Sequence, residues 1–182
     1  MDKNIIEKMK TLLKEAAGKA IVSLFHDHNE NFYYCSLITD GEGHCPIISA
    51  WSWEALERMA QKEDDPEEAE YFYKWSYADS PYFAYGEEYF SEVSKLFLEN
   101  IERMEDMDED TYEQEFDLLL HIMECVMAEL DEEGLFGSGE QRKKIVVNAE
   151  VMPPDYTNTE RAIRLNPPEA LNDWLEECAE EE

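Results

Sequence analysis

The sequence predicts an α+β fold: a small antiparallel sheet of about three or more strands, covered by several amphipathic helices. Three observations predict it. Apolar residues recur at helical spacing in several separate segments. Two runs rich in β-branched and aromatic residues lie early in the chain, and a third, "KKIVVNAEV", lies late. No linker rich in Gly, Ser and Pro and no internal repeat divides the 182 residues, so they read as a single domain. A chain of this length buries roughly 70% of its extended surface and needs no disulfide staples.

The predicted organisation is an N-terminal helix over 1–20, an α+β core with its helices over 21–152, a C-terminal helix over 166–178 and an acidic tail over 179–182. In the first helix Ile5, Ile6, Met9, Leu12, Leu13, Ala16 and Ala17 share one stripe, and Gly18 stands near its end. Next, "AIVSLF" and "NFYYCSLITD" flank the polar "HDHNEN" and predict an antiparallel hairpin. "SAWSWEALERMAQK" predicts a helix capped by Ser49 or Ser52. "EDDPEEAEYFYKW" predicts another, capped by Asp64 or Asp65, with Pro66 in its first turn. Ser80-Pro81 breaks whatever precedes it.

Tyr89, Phe90, Val93, Leu96, Phe97 and Ile101 mark one further helix; Tyr112, Phe116, Leu119, Met123, Val126, Met127 and Leu130 mark a longer one. Gly134, Gly137 and Gly139 form a loop before the late strand, which Pro153-Pro154 ends. In "NPPEALNDWLEEC", Asn166 reads as a cap with Glu169 completing a capping box.

Net charge is −30, and it is unevenly placed. Residues 1–20 carry a net +2, residues 54–70 a net −6, and residues 99–133 hold 15 acids against Arg103 alone. Arg142, Lys143 and Lys144 make one small basic spot. Such a chain is a poor binder of nucleic acid, which needs Lys and Arg to displace its counterions. Crowded carboxylates repel one another along a helix, a cost that solubility alone does not require. They attract a basic partner and speed the encounter.

No segment approaches the roughly 20 apolar residues of a membrane span. The charges scattered through residues 1–20 do not resemble a secretory signal. Cys35, Cys45, Cys125 and Cys178 lie far apart and read as reduced, mostly buried thiols. The expectation is a cytoplasmic protein.

The chemical motifs are weak. Asp106 to Asp117 begins like a calcium loop, but Thr111 stands where the sharp turn needs Gly. His26, His28, His44 and Cys45 offer zinc-ligand types without the tight pairs of a structural site. His121 and Cys125 are four apart on a helix, where a packed core thiol is the expected role. Nucleophile-elbow, phosphate-loop and H-E-x-x-H patterns are missing. No cofactor is expected. A metal-dependent protein or enzyme using His26, His28 and His44 stands as the alternative reading.

Residues 71–90 carry ten of the chain's aromatic residues. They close a corner of the core, present an exposed binding patch, or do both. "NFYYCSLITDGEGHCPIISAWSWEAL" followed by "YKWSYADSPYFAYGEEYF" resembles an uncharacterised bacterial family. That family is number four thousand three hundred and three in the domain-of-unknown-function series. The likeness lies in the strand from Phe32 to Asp40, in Ser52, Glu54 and Leu56, and in Lys74-Trp75-Ser76 with Asp79. The resemblance implies no activity. Small acidic families of this kind look similar to immunity proteins of bacterial toxin systems.

The sequence therefore predicts a non-enzymatic acidic binding protein, immunity- or antitoxin-like, whose partner is basic: a toxin or a nucleic-acid-binding protein. The expected contact residues are Glu105, Asp106, Asp108, Glu109, Asp110 and Glu113, with Tyr77, Tyr82 and Tyr85. A third reading is a soluble domain whose acidity only keeps it in solution.

Overall fold

A nine-residue strand, β1 (Phe32–Asp40), forms the middle of a three-stranded sheet of order β2-β1-β3. Its neighbours are β2 (Ile47–Ser52) and β3 (Val146–Met152). The computed structural model describes residues 1–180, so the last two residues of the predicted acidic tail lie outside the described residues. The helices are α1 (Lys3–Asp27), α2 (Trp53–Ala60), α3 (Pro66–Tyr73), α4 (Val93–Met104), α5 (Glu109–Glu132), α6 (Tyr156–Leu165) and α7 (Asn172–Glu177). Short 3₁₀ turns stand at Glu87–Phe90, Arg142–Lys144 and Pro168–Ala170.

The α+β class holds, but the sheet is mixed and not purely antiparallel. β1 runs antiparallel to β2 and parallel to β3, with Tyr34 opposite Val146 and Asp40 opposite Met152. A parallel neighbour requires a long crossover, which the helical segment between β2 and β3 supplies. From Tyr33 to Thr39 every residue of β1 is buried. Covering on both faces explains why this strand reads as a continuous apolar run and not as an alternation.

The predicted hairpin is displaced. "AIVSLF" belongs to α1, which continues to Asp27 and is capped at its start by Asp2. Ala20, Ile21 and Leu24 extend the buried stripe of Met9, Leu13, Ala16 and Ala17. Burial of that stripe outweighs the strand preference of the β-branched residues. Gly18 therefore sits mid-helix, where Leu130 Cδ2 lies 3.2 Å from the place a Cβ would occupy. The real hairpin joins β1 to β2. Residues 49–52, expected to open a helix, end a strand instead, and the Ser52 side chain caps α2 by accepting the Ala55 N–H.

The C-terminal helix predicted over 166–178 is also revised. An additional helix, α6, precedes it, capped by Asp155. Asn166 does not start the last helix but ends α6, where its side chain donates to the Ala162 carbonyl at 2.9 Å; buried, it also accepts the Val147 N–H at 2.8 Å and donates to the Val147 carbonyl at 2.6 Å. Asn158 does the same for Val151, at 2.8 and 2.9 Å. Two side-chain amides thus occupy the free edge of β3, which would otherwise expose unpaired backbone groups.

One core joins α1, the sheet, α5 and α6. It contains a buried carboxyl, Glu150, which burial pushes above the ordinary carboxylate range and which accepts the Tyr34 hydroxyl at 2.9 Å. The aromatic segment after α3 wraps the β2 edge. Trp51 Nε1 donates to the Ser76 carbonyl at 2.7 Å, and Ser49 Oγ donates to the Tyr77 carbonyl at 2.8 Å. Gly86 lets this segment reach α1: its φ is +69°, and a Cβ there would lie 2.8 Å from Ala20 Cβ. No helix among the described residues is long and apolar enough to cross a membrane.

Candidate functional site

The chain's acidic clusters and its aromatic rings meet on α3. Asp65 caps this helix by accepting the Glu68 N–H at 3.2 Å, and Pro66 supplies the first turn. Glu67 and Glu68 favour the same positive end of the helix dipole. The eight-residue helix buries only Ala69. Its remaining face points to solvent, with Tyr71 70% and Phe72 66% exposed. The two rings meet edge-on, with centroids 6.1 Å apart. A shallow groove of about 570 Å³ runs beside them, lined by Phe72, Tyr73, Ala69 and the carboxylates of Glu63, Asp64, Asp65 and Glu68.

These carboxylates make no ion pair among the described residues; the Tyr73 hydroxyl donates to Glu63 at 2.9 Å. The arrangement is a pair of exposed rings framed by unneutralised negative charge. Chemically it offers apolar contact and cation attraction together.

The residues expected from sequence are placed differently. Glu105, Asp106, Asp108, Glu109, Asp110 and Glu113 are all exposed at the α4–α5 corner and the start of α5. Asp108 caps α5 by accepting the Thr111 N–H at 3.1 Å, which holds its carboxyl below the ordinary range. Glu115, next along, takes both the N-terminal amine and Arg103. Tyr82 is buried, 4% exposed, and donates to Glu30 at 2.6 Å. Tyr85 is half-buried and donates to Asp27 at 2.8 Å. Tyr77 is half-buried beside Phe83.

Tyr85 and the acids of that expected set are not one patch. Glu115 meets the first residue before α1, whereas Tyr85 meets Asp27 at the other end of the helix. A helix of 25 residues separates those contacts by about 37 Å. Tyr71 and Phe72 were missed because they blend into a run of ten aromatics. The usable signal was the stretch ahead of them: Glu67, Glu68 and Glu70, with a single small apolar residue, Ala69, to anchor the helix.

The proposed metal ligands are likewise apart. His26 and His28 lie at the end of α1, and His44 follows the far end of β1. That nine-residue strand spans about 30 Å. His28 packs on Tyr82 and Tyr85, while His44 Nδ1 stands 2.7 Å from Asp40. Among the described residues no group of three or more His, Cys, Asp or Glu is arranged to hold a metal ion. In the stretch from Asp106 to Asp117 that begins like a calcium loop, the Asp108 carboxylate is committed to Thr111 as the cap of α5.

The cysteines are free. Burial pushes the Cys35 thiol up to about 12 and Cys45 to about 11. Cys125 is half-buried and not the packed core thiol expected. Its Sγ lies 3.5 Å from His121 Nε2, and partial burial still raises it. None of these three thiols is set up as a thiolate nucleophile.

A family model described as a domain of unknown function, DUF4303, matches residues 13–167. The chain belongs to the DUF4303 family. The matched span runs from mid-α1 to just past α6, and it takes in all three strands and α3. No match emerges among curated proteins. None emerges among solved structures.

Proposed function

We propose that this DUF4303 protein is a non-enzymatic binding module that engages a basic protein through the α3 face. The observation that carries the reading is the exposed Tyr71–Phe72 pair, set among carboxylates without a cation. Isolated exposed apolar residues are ordinary on a protein surface. Two adjacent large rings on one short helix, in a strongly acidic setting, fit an anchor for a partner's apolar and basic side chains. Arg suits this chemistry, since its guanidinium stacks on a ring and pairs with a carboxylate at once.

The acids from Glu105 to Glu113 contribute at longer range. They add to the field that draws a cationic partner in, whereas the α3 rings slow its release. An immunity-like role, in which the partner is a toxin neutralised in the cytoplasm, is the specific form of this reading. No residue is assigned to catalysis and no cofactor to the site.

The test uses full-length protein as bait in extract of its own host, at low and high salt. Captured proteins are identified by mass spectrometry, then purified and titrated. A basic partner is expected, with affinity falling steeply as salt rises. Its co-expression with this chain should relieve any toxicity it has alone. A partner whose affinity is independent of salt, or unaffected by replacing both Tyr71 and Phe72 with Ala, overturns the proposal.

A further inference from the structure

A second concave site lies just beyond α3 and is independent of the α3 reading. It is a cleft of about 290 Å³ between β1 and the two 3₁₀ turns at Arg142–Lys144 and Pro168–Ala170. One wall is aromatic. Trp53 is 45% exposed, yet its inner face is stacked on Tyr33 with centroids 4.1 Å apart and planes 27° apart. Trp75 meets Tyr33 edge-on at 5.3 Å. Tyr33 is fixed in turn, since its hydroxyl donates to the Lys74 carbonyl. The outer face of Trp53 is therefore a ring surface held in place before anything binds.

The opposite wall carries Lys143 and Lys144. Their turn is pinned by Arg142, which is buried and donates to Asp131 at 2.7 Å, to the Ile145 carbonyl at 2.8 Å and to the Leu165 carbonyl at 2.9 Å. Lys143 is neutralised by Glu140 and Glu169, at 2.9 and 3.2 Å. Lys144 is exposed and makes no ion pair among the described residues. Asn172 and Asp173 line the same wall and offer hydrogen-bond acceptors.

We infer that this cleft binds a small molecule with a flat, amino-substituted heteroaromatic ring and one anionic group, the chemistry of a nucleoside monophosphate. The ring lies on Trp53, its amino group faces Asp173 or Asn172, and its anion pairs with Lys144. The volume is at the small end for ligand sites and suits one ring system with one charged substituent. Net charge does not forbid an anion here. Of the two carboxylates that line the cleft, Glu169 is paired with Lys143 and Asp173 stands 3.8 Å from Lys74. Fields from more distant carboxylates fade beyond a Debye length of about 8 Å, which leaves Lys144 as the cleft's unpaired charge among the described residues. Lys74 Nζ stands 5.9 Å from the Trp53 centroid and 5.3 Å from that of Trp75, held by Glu177 at 2.8 Å and 3.8 Å from Asp173.

The experiment is calorimetric titration of the full chain with AMP and CMP, against adenosine and inorganic phosphate. At least one nucleotide is expected to saturate the protein, with both controls weaker by about tenfold or more. Trp53→Ala and, separately, Lys144→Glu should each weaken it by a similar factor. Both positions are exposed, and Lys144→Glu leaves the aromatic wall intact, so loss of folding does not mimic the result. Phe72→Ala should change nothing, which separates this cleft from the α3 face. No saturable binding of either nucleotide up to about 1 mM overturns the inference. So does binding that neither cleft variant alters.

Discussion

The start of α3 and the start of α5 look alike in sequence and differ in what surrounds their charge. Both are acid-rich helix N-termini with an Asp cap, Asp65 in one and Asp108 in the other. The helix dipole accounts for the acids of the first turn in both. At α5 the nearby rings are partly covered: Tyr112 stacks on Phe116 with planes 7° apart and donates to the Gly41 carbonyl. At α3 the rings of Tyr71 and Phe72 stand free. On the proposed reading, carboxylate density alone does not mark a binding face. Apolar surface left open beside the charge is what separates the two regions.

The largest effect expected from this contrast is on partner affinity. Replacing Tyr71 and Phe72 together with Ala should weaken binding about 100-fold, the scale of two ring contacts at a hot spot. Because both side chains are exposed, the melting temperature should hardly move. Surface plasmon resonance and thermal denaturation on the same samples give both numbers.

A fully engaged carboxylate provides the next, smaller effect. Burial pushes Glu30 up, but hydrogen bonds from Arg58, Ser52 and Tyr82 outweigh it and leave Glu30 at about 2. A depressed carboxyl stabilises the fold above its unfolded value of 4.5 and loses that contribution as pH falls toward 2. With Arg58 half-exposed, the screened contribution is about 1–2 kcal/mol. Urea titrations at pH 6 and pH 3 should show the loss, and Glu30→Gln should flatten it.

Smaller again is the cap. Asp108→Ala should cost about 1 kcal/mol in urea unfolding. Asp64→Asn, on the α3 face and capping nothing, should stay within about 0.5 kcal/mol. An equal cost at both positions would mean that the α3 acids serve stability after all. The smallest effect belongs to Glu109, Asp110 and Glu113 changed to Gln. It should slow association by less than about threefold at physiological salt and leave dissociation unchanged.

Much of the fold was legible. α3 with Asp65 and Pro66, the strands at Phe32–Asp40 and Val146–Met152, and the cores of α4 and α5 all announce themselves by cap chemistry or by period. The misreadings have physical causes. "AIVSLF" has strand-like residues, and only the burial of Ala20, Ile21 and Leu24 against the rest of the core keeps it helical. β2 is buried on both faces from Ile48 onward, so it shows no alternation to read. In α6 the buried positions include Asn158 and Arg161, polar residues spent on the β3 backbone, which erases the apolar stripe. The candidate faces were less legible. Which of ten clustered rings stay outside depends on the tertiary packing of a segment that turns at Gly86, and no local pattern encodes it.

The parallel pairing of β1 with β3 carries a cost in time. Ser36 and Asn148 bond across 112 positions of chain, so the middle strand emerges from the ribosome long before its second neighbour exists. Until Met152 has been made, one edge of β1 stays open to whatever strand is nearby, and the amides of Asn158 and Asn166 that seal the assembly arrive later still. A C-terminal truncation of even thirty residues would therefore forfeit α6, α7 and the outer seal of the sheet together. The chain's negative charge repels one unfinished copy from the next while that edge is open.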